Sequence, residues 1–117
     1  MASAAAPLAA EGIAVPSGQP VELMEVIAEE GRAGPVLRYR YLAPEAPGLA
    51  YETREADMAH LCDRHALPHA RADDGAPARI IVSLAEAPVP FAELDPEVTQ
   101  VFEAYRIEGD QCRWEAF

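Results

Sequence analysis

The sequence predicts an α+β domain: a mainly antiparallel sheet of about five strands, ordered β-β-α-β-β-β, with one helix packed on one face. Three stretches carry that prediction. Val36–Leu42, VLRYRYL, alternates with period two. Around Arg54–Leu67, Met58, Leu61, Cys62 and His65 fall on one helical stripe. Val101–Phe117, VFEAYRIEGDQCRWEAF, gathers the only Trp and the second Cys, and reads as a closing β-hairpin.

A chain of 117 residues makes a single domain, assigned to 13–117 behind an N-terminal segment 1–12. Half of it is apolar (50%), enough for one core, and no run approaches the roughly 20 apolar residues of a membrane span. The net charge of −11 repels polyanions and removes the counterion-release term that drives nucleic-acid binding. Nucleic acid and anionic membrane surfaces are therefore excluded as partners. The acidity solvates the chain, and its functional use would be a basic partner or a cation. Every basic residue is Arg, with no Lys and no Asn, which points to a mutational bias toward GC and carries no functional information.

Taken in order, Met1–Glu11 is Ala-rich and uncharged until Glu11, with small residues in the manner of a signal-peptide cleavage site. It reads as a flexible N-terminus or a signal-peptide remnant. Ile13–Pro20 is an extended lead-in with two prolines. Val21–Glu29 could be helix, since Glu, Leu and Met favour it, but strand is the preferred reading, with Val21, Leu23 and Ile27 on one side and Glu22, Met24 and Val26 on the other. Gly31–Pro35 is a turn cluster, and Val36–Leu42 follows with Leu37, Tyr39 and Tyr41 on one face and Arg38 and Arg40 on the other. The helix is expected from a Thr53 N-cap, with Glu55 and Asp57 in its first turns, until Pro68 stops it at or before Leu67. Arg79–Leu84, RIIVSL, is apolar on both sides and reads as the central strand. Pro88, Pro90 and Pro96 keep Ala85–Pro96 a loop.

The segment Asp95–Tyr105 has two readings. Asp95-Pro96 is a good helix start, and Val98, Val101, Phe102 and Tyr105 have helical spacing. The preferred reading is a strand from about Val101 to Ile107, a Gly109-Asp110 turn, and a return strand over Gln111–Ala116. It sets Tyr105 opposite Trp114 and Ile107 opposite Cys112 on one face, with Arg106 and Arg113 on the other beside Glu108 and Glu115.

Cys62 and Cys112 both lie on faces assigned to the core. A structural disulfide between them is the preferred reading, two buried free thiols in a cytoplasmic protein the alternative. Closing that loop is worth roughly 4 kcal/mol in the chain-entropy model. No constellation names a reaction. His60, Cys62, His65 and His69 are ligand types, but His60 turns away and Pro68 separates His69, so no metal is assigned. A Cys62–His65 nucleophile pair lacks anything to activate the thiol. Asp73-Asp74-Gly75 is a turn, and no glycine-rich phosphate loop exists, so no cofactor is assigned. Glu86, Glu93, Asp95 and Glu97 rim the proline-rich loop. Together with exposed Arg38 and Arg40, the residues Glu93, Asp95 and Glu97 are the candidate interaction surface; salt bridging among these charges is the plainer reading.

Ile13-Ala-Val-Pro-Ser-Gly-Gln-Pro-Val21, Ala59–Pro68 around Cys62, Asp95-Pro-Glu-Val-Thr-Gln, Phe102-Glu-Ala-Tyr-Arg-Ile and Cys112-Arg-Trp-Glu-Ala-Phe117 resemble a small uncharacterised family of Rhodobacter- and Roseobacter-type alphaproteobacteria. The resemblance covers most of the chain from Ile13 and is most specific at the C-terminus. It implies export, since such proteins usually carry a signal peptide, and it implies no activity. The expected function is a periplasmic or secreted binding or accessory protein acting through a surface, its partner another envelope protein. The alternative is a small enzyme or small-ligand binder with a pocket near the Glu93–Glu97 loop.

Overall fold

A computed structural model describes residues 12–73, 76–91, 93 and 95–115. Most of the N-terminal segment, and with it the signal-remnant expectation, lies outside them. The chain runs through β1 (Glu22–Gly31), β2 (Gly34–Leu42), a 3-10 turn (Ala46–Gly48), α1 (Tyr51–Leu61), a π-helical turn (Cys62–Ala66), α2 (Leu67–Ala72), β3 (Arg79–Ala85), β4 (Gln100–Glu108) and β5 (Gln111–Glu115). The five strands form one sheet in sequence order. β2 and β3 are parallel and the other neighbours antiparallel. Parallel strands require the chain to cross back over the sheet, and the helical segment 51–72 is that crossover. The architecture is the expected β-β-α-β-β-β sheet with helix on one face.

Period two sorts the strands cleanly. Tyr39 and Tyr41 of β2, Ile80, Val82 and Leu84 of β3 and Tyr105 of β4 turn to the helix and pack with Met58, Leu61, Cys62, Ala66, Leu67 and Ala70. β3 is buried on its other face as well, where Ile81 joins Val36 and Ala104, as a central strand requires. β1 departs from simple alternation. A bulge between Leu23 and Glu25 absorbs Met24, so Val26 pairs with Tyr39 on the helix side and Ile27 pairs with Arg38 on the open side. One extra residue reverses the facing of everything after it, which is why the assignment of Ile27 and Val26 from the sequence is inverted.

The helix also differs from expectation. It starts at Tyr51 behind Ala50, with no side-chain cap from Thr53, and it runs through Pro68 to Ala72. Proline has no N–H to donate, and its ring strikes the carbonyl four residues back in a regular helix. Here the residues before it form a π turn in which the Leu67 N–H bonds the Cys62 carbonyl. The wider turn makes room for the ring, and the helix continues. His69 thereby joins the face that carries His65.

Three ties close the structure. The Asp57 carboxylate, wholly buried, accepts from the Ser17 N–H (3.0 Å), the Ser17 hydroxyl (2.6 Å) and Gln19 Nε2 (2.7 Å), which fastens the lead-in segment to α1. β4 and β5 pair in the expected register, Tyr105 with Trp114 and Ile107 with Cys112, around Gly109 at φ 59°. Cys112 is bonded to Cys62 with a Cα–Cα distance of 6.1 Å, and its N–H donates to Asp63 Oδ1 at 2.8 Å. Asp95 ends as a turn, its carbonyl accepting from the Val98 N–H, so the strand reading of 101–107 prevails.

Candidate functional site

The open face of the sheet holds the arginines singled out in the sequence, and each strand brings a partner to them. Glu29 and Glu25 of β1 face Arg38 and Arg40 of β2; Arg38 Nε donates to Glu29 Oε2 at 3.2 Å, and Arg40 pairs with Glu25. Across the other half, Arg79 Nε donates to Glu115 Oε1 at 2.6 Å, and Glu108 accepts from Arg106 and Arg113. These guanidinium groups hold the carboxyls of Glu108 and Glu115 below the usual carboxylate range. The local charges are thus largely spoken for by one another.

Arg40 is buried, contrary to its expected exposure. The loop after β3 folds back over it: the Val89 carbonyl accepts from Arg40 Nη2 at 2.6 Å, and the Phe91 ring lies 5.9 Å from the Arg40 guanidinium carbon and 5.1 Å from that of Arg38. Prolines bracket Val89 and hold this return extended, while the aromatic face attracts the guanidinium planes. The result is a cleft of about 250 Å³ lined by Arg38, Arg40, Ser83, Phe91, Glu93 and Phe102, among others. Phe91 and Phe102 are 43% and 57% exposed, unusual for such large apolar groups. Of the expected surface, the structure gathers Arg38, Arg40 and Glu93 here. Asp95 and Glu97 sit on the exposed 95–98 turn, away from the lining; Glu86, instead of joining a rim, accepts from the Thr99 N–H at 2.7 Å and closes the loop.

The helix side carries a pairing that sequence reasoning missed. The Tyr41 hydroxyl is hydrogen-bonded to His65 Nδ1 (2.9 Å) and the Tyr39 hydroxyl to His69 Nδ1 (2.8 Å), and the two imidazoles stack at 5.9 Å. Burial and then the Asp73 charge push Tyr39 up to about 12; burial raises Tyr41 further. Burial, and secondarily His69, lowers the pKa of His65. Both tyrosines therefore remain protonated at neutral pH and serve as hydrogen-bonding anchors for the ring stack. The signal was there: His65 and His69 are four apart, a helical neighbour spacing, and only the expectation of a stop at Pro68 hid it. Phe91 had no such signal, because its position depends on how the loop returns; alternation along β4 does set Phe102 on the face opposite Tyr105, the open face.

Among the described residues, no three His, Cys, Asp or Glu side chains gather to hold a metal ion. No helix of the described residues is long and apolar enough to cross a membrane. No curated protein and no solved structure matches the chain. A family model does match, over residues 1–117, and the chain belongs to that family, a family of unknown function (DUF6497).

Proposed function

We propose that the protein is exported and acts as a binding or accessory protein of the cell envelope, engaging its partner at the cleft between Phe91 and Phe102. Export is supported by the Cys62–Cys112 disulfide, since such bonds persist in oxidising compartments and are rare in the cytoplasm. Binding is supported by one observation above the rest: two exposed phenylalanines flank a depression in an otherwise charge-paired sheet face. Exposed apolar groups beside polar ones are what a recognition surface presents. A cleft of about 250 Å³ is small beside the roughly 300–1,000 Å³ of ligand pockets, and it suits one apolar side chain projecting from a partner. Arg38 and Arg40, already held by Glu29 and Glu25, would stack against that group and leave its charge unread. Glu93, in the cleft lining, supplies a polar edge, with Asp95 and Glu97 on the exposed turn beyond it.

The test is affinity capture from the native envelope fraction with the wild type and with Phe102→Ser. A stoichiometric partner held by the wild type and lost by the variant is expected. Recovery of a monomer carrying a small molecule in the cleft would overturn this reading in favour of a small-ligand binder.

A further inference from the structure

We propose that Tyr51, Glu55, Glu103 and Trp114 form a binding site for an organic cation bearing N–H donors, a guanidinium or primary ammonium group, on the helix side of the sheet near β5.

The four residues come from three elements. Tyr51 and Glu55 are one turn apart at the start of α1; Glu103 and Trp114 lie on the helix-facing side of β4 and β5. Trp114 Nε1 donates to Glu103 Oε1 at 2.6 Å, and the Tyr51 hydroxyl donates to Glu55 Oε2 at 3.2 Å. The Tyr51 pKa is raised first by its hydrogen bond to Glu55 and then by the charge of Glu103, so both carboxylates face one hydroxyl. Each aromatic residue spends its one polar hydrogen on a carboxylate, and each ring stays 54% exposed.

The contrast with the open face is informative. There Glu25, Glu29, Glu108 and Glu115 are each matched by an arginine; among the described residues no Arg or His forms an ion pair with Glu55 or Glu103. Each carboxylate is held by an aromatic donor, and among the described residues none supplies a cation to either. Beneath them lies the Tyr105 hydroxyl, buried and without a hydrogen-bond partner. By register Tyr105 faces Trp114 and lies two residues from Glu103 on the same side of β4, and after burial the charges of Glu103, Glu55 and Asp63 bear on its hydroxyl. Native structures seldom leave a buried hydroxyl unpaired, and this one lacks both a donor and an acceptor partner.

These features select the ligand. Anionic oxygens call for a cation, and exposed Tyr and Trp faces favour an organic one through cation–π attraction. Carboxylates that already accept hydrogen bonds call for N–H donors, which a quaternary ammonium lacks. A bare metal ion is disfavoured, because no three potential ligands converge among the described residues.

Trp114 is the only tryptophan, so its emission reports this site directly. Titrations use agmatine, a blocked Gly-Arg-Gly peptide and tetramethylammonium, with calorimetry as a second readout. Saturable binding of agmatine or the peptide is expected, weakened ~10-fold or more in Glu55→Gln and Glu103→Gln, the scale of losing a charged hydrogen bond. Tyr105→Phe should weaken it several-fold while leaving the circular dichroism unchanged. Preference for agmatine assigns a free cation, and preference for the peptide assigns an arginine on a partner protein. The proposal is overturned if neither binds, if the glutamine variants bind like the wild type, or if tetramethylammonium binds as tightly as agmatine.

Discussion

Reduction of Cys62–Cys112 is the perturbation whose size follows most directly from the chain. The bridge joins residues 50 apart, and the closed loop holds the π turn, α2, β3 and β4. In the chain-entropy model a loop of that length stabilises by roughly 4 kcal/mol, nearly all of it through the unfolded state. The native state has little reason to change on reduction. Cys62 is fully buried and its thiol would stay in place, while the Cys112 N–H keeps its bond to Asp63 and β5 keeps its ladder to β4. No cavity opens, so the comparison is nearly free of packing terms. With a urea m-value of about 1–2 kcal/mol/M, the midpoint should fall by roughly 2–4 M when unfolding is measured with and without reductant. For a domain whose total stability is about 5–15 kcal/mol, that is a large share. A fall equivalent to less than about 1 kcal/mol would refute the entropic argument. The export reading has a separate exposure to failure: protein isolated from its native source under thiol-trapping conditions should be lighter by two hydrogens than the reduced chain. Two trapped thiols would sink export while leaving the fold intact.

Two further outcomes follow from buried polar groups. Asp57→Ala strips the partners from the Ser17 and Gln19 donors and should cost about 3 kcal/mol in denaturant unfolding, with new protease sensitivity confined to residues 12–20; a loss below about 1 kcal/mol would show that the lead-in segment is not held by this carboxylate. The lowered pKa of half-buried His65 means that the folded state resists a proton that the unfolded state takes up at about the ordinary 6.5, so stability present above that pH falls as the pH drops through it toward the folded value. His65→Gln should flatten that slope between neutrality and pH about 5, and an unchanged slope would assign the acid sensitivity to other groups.

How much of this was legible follows from how local each feature is. VLRYRYL is written in one strand's alternation, and the β4–β5 register follows from one Gly-Asp turn, so both were readable. The disulfide needed two elements, but each cysteine lay on a face that its own periodicity identified. The π turn before Pro68 was hidden because the proline rule assumes regular α bonding, which the Leu67–Cys62 hydrogen bond relaxes. The bulge at Met24 left no mark in a segment where Glu and apolar residues already alternate imperfectly. Arg40 was read as exposed because alternation put it on the face opposite Tyr39 and Tyr41, and the returning Val89–Phe91 segment covers it. Asp57 and Ser17, 40 residues apart, share no pattern that a single sequence displays.

The distribution of charge separates the two surfaces in a way that the total conceals. By register, the strands present Arg38, Arg40, Arg79, Arg106 and Arg113 on the open face, against Glu22, Glu25, Glu29, Glu108 and Glu115. These balance, so the formal −11 is carried elsewhere on the chain, including the acids of α1 and Glu103 on the helix side. A partner docking at Phe91 and Phe102 meets a surface with no net charge on its strands, and its binding should change little between low and moderate ionic strength. A cation at Glu55 and Glu103 would meet two half-buried carboxylates, and its affinity should fall as salt shortens the Debye length. The same acidic composition therefore serves two ends. On one face it neutralises arginines beside exposed phenylalanines; on the other, Glu55 and Glu103 meet no arginine or histidine among the described residues, which is what the proposed cation would supply.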